Sequence, residues 1–106
     1  MANRLGEKLH RLRKENRLTL DGLAEKSGLS KSYLWELENR ESRRPSAEKL
    51  TALADVFGLT ATFFLEDDVR APEERHRDEG FFRDYQNLDA DAKRQLQKIL
   101  KTFKKS

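Results

Sequence analysis

The sequence predicts an all-α fold: a compact domain of five short helices over residues 1–66, then a C-terminal pair of amphipathic helices. Three observations carry this expectation. Apolar residues recur at helical spacing through most of the chain, and no stretch alternates with period two long enough to make a strand. Thr19, Ser30 and Asp89 each stand just ahead of a periodic segment, where a short side-chain oxygen satisfies the free N–H groups of a first turn. Gly28 and Gly58 stand just past two such segments, in the place of a helix-ending residue.

The elements follow in order. Leu5, Leu9 and Leu12 mark one face of a first helix ending near Asn16. Thr19 caps a second helix, Leu20 to about Ser27, whose Leu23 and Ala24 turn inward. Gly28 ends it, because glycine alone adopts the left-handed conformation without a Cβ penalty. Ser30 caps a third helix, Lys31 to Asn39, anchored by Leu34 and Leu37. Its polar positions Lys31, Ser32, Tyr33 and Glu36 share the outer side, so an anchored helix presents a free polar face. Trp35, one position past Leu34, is expected to wedge between helices. A fourth helix follows Ser46, with Leu50, Leu53, Ala54 and Phe57 on one face and Gly58 closing it. Ala61 to Leu65 predict a short fifth helix that returns Phe63 and Phe64 to the core.

Residues 67–79 are charged, contain Pro72 and lack periodicity, which predicts an acidic linker. Residues 80–106 hold two amphipathic segments. Phe81, Phe82 and Tyr85 cluster before Leu88; Asp89 then caps a helix whose Ala92, Leu96, Ile99, Leu100 and Phe103 form a stripe. Isolated helices under about 12–15 residues are marginal in water, so these stripes need a partner surface. That surface is either the first domain or the same region of a second chain.

Composition bounds the function. With 36% apolar and 39% charged residues in 106, the core is modest. There is no Cys, which excludes a disulfide framework and a thiolate metal site. The start of the chain lacks the apolar core of a signal peptide, and no apolar run approaches the ~20 residues of a membrane span. A soluble cytoplasmic protein is expected. Net charge is only +3, weak evidence for a polyanionic partner, but its distribution is uneven. Residues 1–58 carry 12 Lys+Arg against 9 Asp+Glu, residues 59–79 carry 3 against 7, and residues 80–106 carry 7 against 3. His10 and His76 lie far apart, and Glu66, Asp67 and Asp68 lack the spacing of a calcium loop, so no metal is expected. No phosphate-cradling glycine loop and no nucleophile–base constellation can be argued. The chain reads as a non-enzyme without cofactor.

The specific signal lies in a series of short motifs: L-T-x-x-x-L-A at Leu18–Ala24, then Gly28 and Ser30, L-x-x-L-E-N at Leu34–Asn39, R-R-P at Arg43–Pro45, and L-x-x-L-A…F-G at Leu50–Gly58. In this order, residues 5–66 resemble the helix-turn-helix domain of the lambdoid phage repressors and the wider Xre family of bacterial regulators. The resemblance implies a five-helix lambda-repressor-like domain that binds double-stranded DNA. Lys31, Ser32 and Glu36 fall where family members present side chains to base edges. Asn39, Arg43 and Arg44 fall where they grip the sugar-phosphate backbone. Arg13 and Glu38 match a structural ion pair between the first and third helices.

Other readings stay open beside these. Lys31 and Ser32 either read bases or form the first turn of a solvated helix, and Tyr33 either packs or reaches toward DNA. Glu36 is repelled by phosphate, yet a carboxylate accepts from cytosine N4. Arg40, Arg43 and Arg44 either meet phosphates or form an ordinary charged loop. The family often has a contacting Gln where this chain has Leu20, beside the Thr19 cap; leucine offers a backbone N–H to phosphate and a side chain to a thymine methyl. Gly22 replaces a common Glu, removing a capping-box partner.

The C-terminal pair resembles the helical hairpin of the Sin-type biofilm repressors, which implies a homodimer clasp and a seat for an antagonist; a toxin or a protease acting on this segment is a further possible partner. The expected function is a dimeric repressor of a palindromic operator, because one recognition helix reads few base pairs and a dimer doubles the readout. The alternative is an antitoxin-type module whose tail binds a toxin, with DNA binding for autoregulation.

Overall fold

A computed structural model describes residues 4–40 and 44–104. Among these residues the chain forms seven helices and no strand: α1 Arg4–Glu15, α2 Leu20–Ser27, α3 Lys31–Asn39, α4 Ala47–Val56, α5 Thr62–Leu65, α6 Glu74–Gln86 and α7 Ala90–Phe103.

Local chemistry sets most boundaries. Thr19 Oγ1 accepts from the Gly22 N–H at 3.0 Å, Ser30 Oγ from Tyr33 at 3.1 Å, Ser46 Oγ from Lys49 at 3.2 Å and Asp89 Oδ1 from Ala92 at 2.8 Å. Gly28, at φ 75°, ends α2 by donating its N–H to the Ala24 carbonyl. Between α1 and α2 the chain turns at Arg17, which takes φ 56° without being glycine.

The core gathers one to three residues from each of the first five helices, with Leu59 from the α4–α5 turn: Leu9 and Leu12, Leu23, Leu34 and Leu37, Leu50 with Leu53 and Ala54, then Leu59, and Phe63 with Phe64. α1 lies against α3 and α5, while α2 lies against α3 and α4. Lys8 is buried among them. Its ammonium lies 4.6 Å from the Phe63 ring centroid and donates to the Phe63 carbonyl at 2.6 Å and to the Glu66 carbonyl. A cation thus satisfies backbone acceptors at the end of α5, where a helix carries partial negative charge. Burial pushes the Lys8 ammonium below its ordinary value, against the attraction of Asp67, Glu66 and Asp68.

The expected linker is shorter than residues 67–79. Glu74 to Glu79 are the first turns of α6, and the physical reason is tertiary. His76 is fully buried, its ring edge-on to Phe63 at 5.3 Å between centroids. Its Nδ1 accepts the Glu73 backbone N–H at 2.8 Å, which places the ring proton on Nε2, donated to Glu66 Oε1 at 2.6 Å. The imidazole therefore both starts the helix and pins it to the first domain. Arg75 Nη2 also donates to Glu66 Oε2 at 2.9 Å, and these hydrogen bonds, first from His76 and then from Arg75, hold the Glu66 carboxyl below its ordinary value.

One turn on, Gly80 meets the α4–α5 turn so closely that a Cβ there would lie 2.2 Å from the Gly58 carbonyl oxygen. Arg83 completes the seam, donating to the Leu59 carbonyl at 2.5 Å and pairing with Asp55 at 2.9 Å. The first domain thus covers one face of α6. The other face, with α7, forms a hairpin fastened by Gln97 donating to the Tyr85 hydroxyl at 2.6 Å. No residue of α7 is buried.

Candidate nucleic-acid interface

The Ser30 cap starts α3 and the Gly28 turn sets its angle to α2. Leu34 and Leu37 then bury one side of α3 against α1 and α2. This fixes the phase of the helix, so Lys31, Ser32 and Trp35 emerge on the outer side with Glu36 half-exposed among them. Together with Leu20, at the start of α2, these four line a shallow depression of about 280 Å³. Lys31 pairs loosely with Asp21 at 3.2 Å, an exposed contact that a phosphate or base acceptor can displace.

A buried network locks α3 from behind. Arg13 Nε donates to Glu38 Oε2 at 2.7 Å and Arg13 Nη2 to Glu38 Oε1 at 3.0 Å, a forked pair. Arg13 Nη1 also reaches the Leu18 carbonyl at 3.0 Å, and His10 lies 2.9 Å from Glu38 Oε1. The Glu38 side chain is only 3% exposed. Burial alone raises its carboxyl, but the hydrogen bonds from Arg13 and His10 prevail and hold it below the ordinary value. The Glu38 hydrogen bond raises Arg13 in turn. The network joins α1, the α1–α2 turn and α3, so the outer face is held on rigid elements.

The remaining site candidates take varied positions. Thr19 is exposed and capping, and Leu20 is half-buried against the core. Tyr33 packs partly on the core, with the Lys49 ammonium 4.4 Å from its ring centroid. Asn39 donates to the Trp35 carbonyl at 2.9 Å, within its own helix. Arg40 lies 5.5 Å from the Trp35 ring, and Arg44 is exposed. Arg43 lies outside the described residues.

Trp35 corrects the expectation that it wedges between helices: it is 45% exposed on the presented face. Hydrophobicity suggested burial, but one residue past Leu34 is ~100° around the helix and off the Leu34–Leu37 stripe. That angle was the available signal. In the C-terminal hairpin, Phe81, Phe82, Tyr85, Leu96, Ile99, Leu100 and Phe103 line an open apolar groove between α6 and α7. Among the described residues no helix is long and apolar enough to cross a membrane, and no cluster of acidic, His or Cys side chains is gathered for a metal ion.

A family model for the helix-turn-helix domain matches residues 4–62, more than half of the chain. The chain belongs to the Xre-like helix-turn-helix regulator family. This helix-turn-helix protein is 35% identical over 71 residues to the immunity repressor protein of Bacillus phage phi105, a match covering 67% of this chain and 49% of that one. It is 40% identical over 55 residues to the transcriptional regulator SinR of Bacillus subtilis, covering 49% and 50%. The chain spans about half the length of the curated relatives it matches.

Two solved structures are similar to this helix-turn-helix protein. The biofilm master regulator SinR in complex with DNA matches 58% of this chain and 98% of its own, at 32% identity and a TM-score of 0.56. A SinR–SinI protein complex matches 92% of this chain and 94% of its own, at 25% identity and a TM-score of 0.58. The all-α, lambda-repressor-like architecture is thus shared with known regulators.

Proposed function

We propose that this protein is a sequence-specific DNA-binding transcriptional repressor, acting as a two-fold dimer on a palindromic operator, and not an enzyme. One observation carries the reading. α3 presents Lys31, Ser32 and Glu36 outward while Leu34, Leu37 and the Arg13–Glu38 pair fix it from behind. Such a helix can enter a major groove without reorganising its support. In this reading Lys31, Ser32 and Glu36 meet base edges. Tyr33, half-packed, stands at the flank of that face. The α2 N-terminus at Thr19 and Leu20 meets phosphate through backbone N–H groups. Asn39, Arg40, Arg43 and Arg44 add contacts to the sugar-phosphate backbone. The likeness to SinR held in a DNA complex supports the assignment.

The groove between α6 and α7 supports the dimer, since a hairpin with no buried residue on α7 leaves apolar surface to be covered. The test is selection of bound duplexes from a random pool. The expected product is a palindromic site of two half-sites, with Glu36→Gln altering preference at one position per half-site. Absence of enrichment would end the proposal.

A second reading assigns the groove to another protein, an antagonist or toxin, leaving DNA binding for autoregulation. It is supported by the match of 92% of this chain, hairpin included, to SinR in a complex with SinI. Sedimentation of the full chain decides: a monomer favours this second reading, a dimer the first.

A further inference from the structure

We infer that Leu20 and Trp35 form a methyl-reading notch on the DNA-binding face, and that its ligand is the thymine edge of an A·T pair. The inference rests on the proposed DNA-binding reading and gives that surface one chemical preference. The depression at the centre of the face is walled by the two apolar side chains, Leu20 from α2 and Trp35 from α3, with Lys31, Ser32 and Glu36 around them. Trp35 is 45% exposed, an uncovered aromatic surface at the position where a groove floor would arrive. One contact flanks its ring: the Arg40 guanidinium lies 5.5 Å from the ring centroid. Leu20 is held by its partial packing on the core. The packed Leu20 thus gives the notch one fixed wall, and Trp35 with its cationic neighbour gives the other.

Its chemistry selects among bases. In the major groove thymine alone of the four bases shows a methyl group, and beside it lies the O4 acceptor. An apolar notch edged by the Lys31 ammonium and the Ser32 hydroxyl is the complement of that pair: methyl into the walls, donor onto O4. The Glu36 carboxylate would be repelled by O4, so it turns to an exocyclic amine, from cytosine N4 or adenine N6, on a neighbouring position. Thymine and an adjacent amine thus become one composite preference, and Trp35 becomes a specificity-determining residue.

The test replaces thymine by deoxyuridine, one position at a time, in a duplex selected by the full-length protein. The substitution removes only the methyl. Losing one buried methyl-sized group weakens binding roughly fourfold. We expect that loss at one thymine per half-site for the unaltered protein, and its disappearance in Leu20→Ala and in Trp35→Ala. Indifference to deoxyuridine at every position, with sequence-specific binding intact, would overturn the notch and leave the DNA-binding proposal standing. So would a uracil penalty that survives in both variants. Failure to enrich any duplex removes the DNA-binding proposal and the notch with it. Because the decisive comparison uses the unaltered protein, it does not depend on either variant folding.

Discussion

At the scale of single residues, the Arg13–Glu38 pair places two charges inside a small domain. A buried ion pair is costly to desolvate, yet breaking one by removing a partner is worse, because the other charge is left uncompensated. Glu38→Ala strands the Arg13 guanidinium, which is 7% exposed. It is expected to destabilise the first domain by about 3 kcal/mol, read from chemical denaturation. The same residue sets an acid limit. The folded-state pKa of Glu38 lies below its unfolded value, so its stabilisation is full above the unfolded value of about 4.3 and is lost as pH falls through the folded value. The melting temperature should therefore drop on acidification below about pH 4.3, and Glu38→Gln should drop less over that window. This pair came from the family resemblance; neither residue stands out by periodicity. Hydrophobicity points Trp35 inward while helical phase points it outward, and the burial of Lys8 and His76 has no local signal at all.

At the scale of elements, α1 to α5 were legible because their causes are local: a Thr or Ser oxygen at each of three N-caps, a glycine after α2, and leucines at three- and four-residue spacing. The start of α6 was not. A histidine three residues into the helix closing on the backbone N–H of Glu73 is outside the usual capping vocabulary, and Glu66, Gly58 and Leu59 supply the rest from elsewhere in the chain. Gly80 tests this seam. Alanine there gains about 1 kcal/mol of helix propensity but places a methyl against backbone that has no room. Gly80→Ala is expected to loosen the docking by about 2 kcal/mol, the usual range for overpacking. Hydrogen exchange should show faster amides over residues 74–86 while residues 4–65 stay protected. Unchanged protection in α6 would mean that the close approach does not govern docking.

At the scale of the whole molecule, the chain measures 52 × 28 × 24 Å, with a radius of gyration of 15.8 Å against the ~13 Å expected for a globule of about 100 residues. The hairpin projects, carrying Ile99 and Leu100 at 54% exposure each and Phe103 at 77%. In the proposed dimer these residues are the join. The double variant Ile99→Glu, Leu100→Glu should sediment as a monomer, and its affinity for the selected duplex should fall at least tenfold while a single half-site is still bound. The sequence pointed to this stripe by its spacing; whether a second chain or another protein covers it is a property of the partner and is not encoded in periodicity.

The seam between α6 and the first domain has a metrical consequence. A reader hung on a slack tether would tolerate half-sites at several separations. Here His76, Gly80 and Arg83 fasten α6 to the first five helices, so the proposed dimer, if joined through the hairpins, would hold its two α3 helices at one distance and one rotational setting. Each base pair inserted between half-sites shifts the second by about 3.4 Å and turns it about 35° out of phase, given ~10.5 base pairs per ~34–36 Å turn. The protein would then act as a calliper as well as a reader, and operators of equal sequence but unequal spacing would be different sites to it.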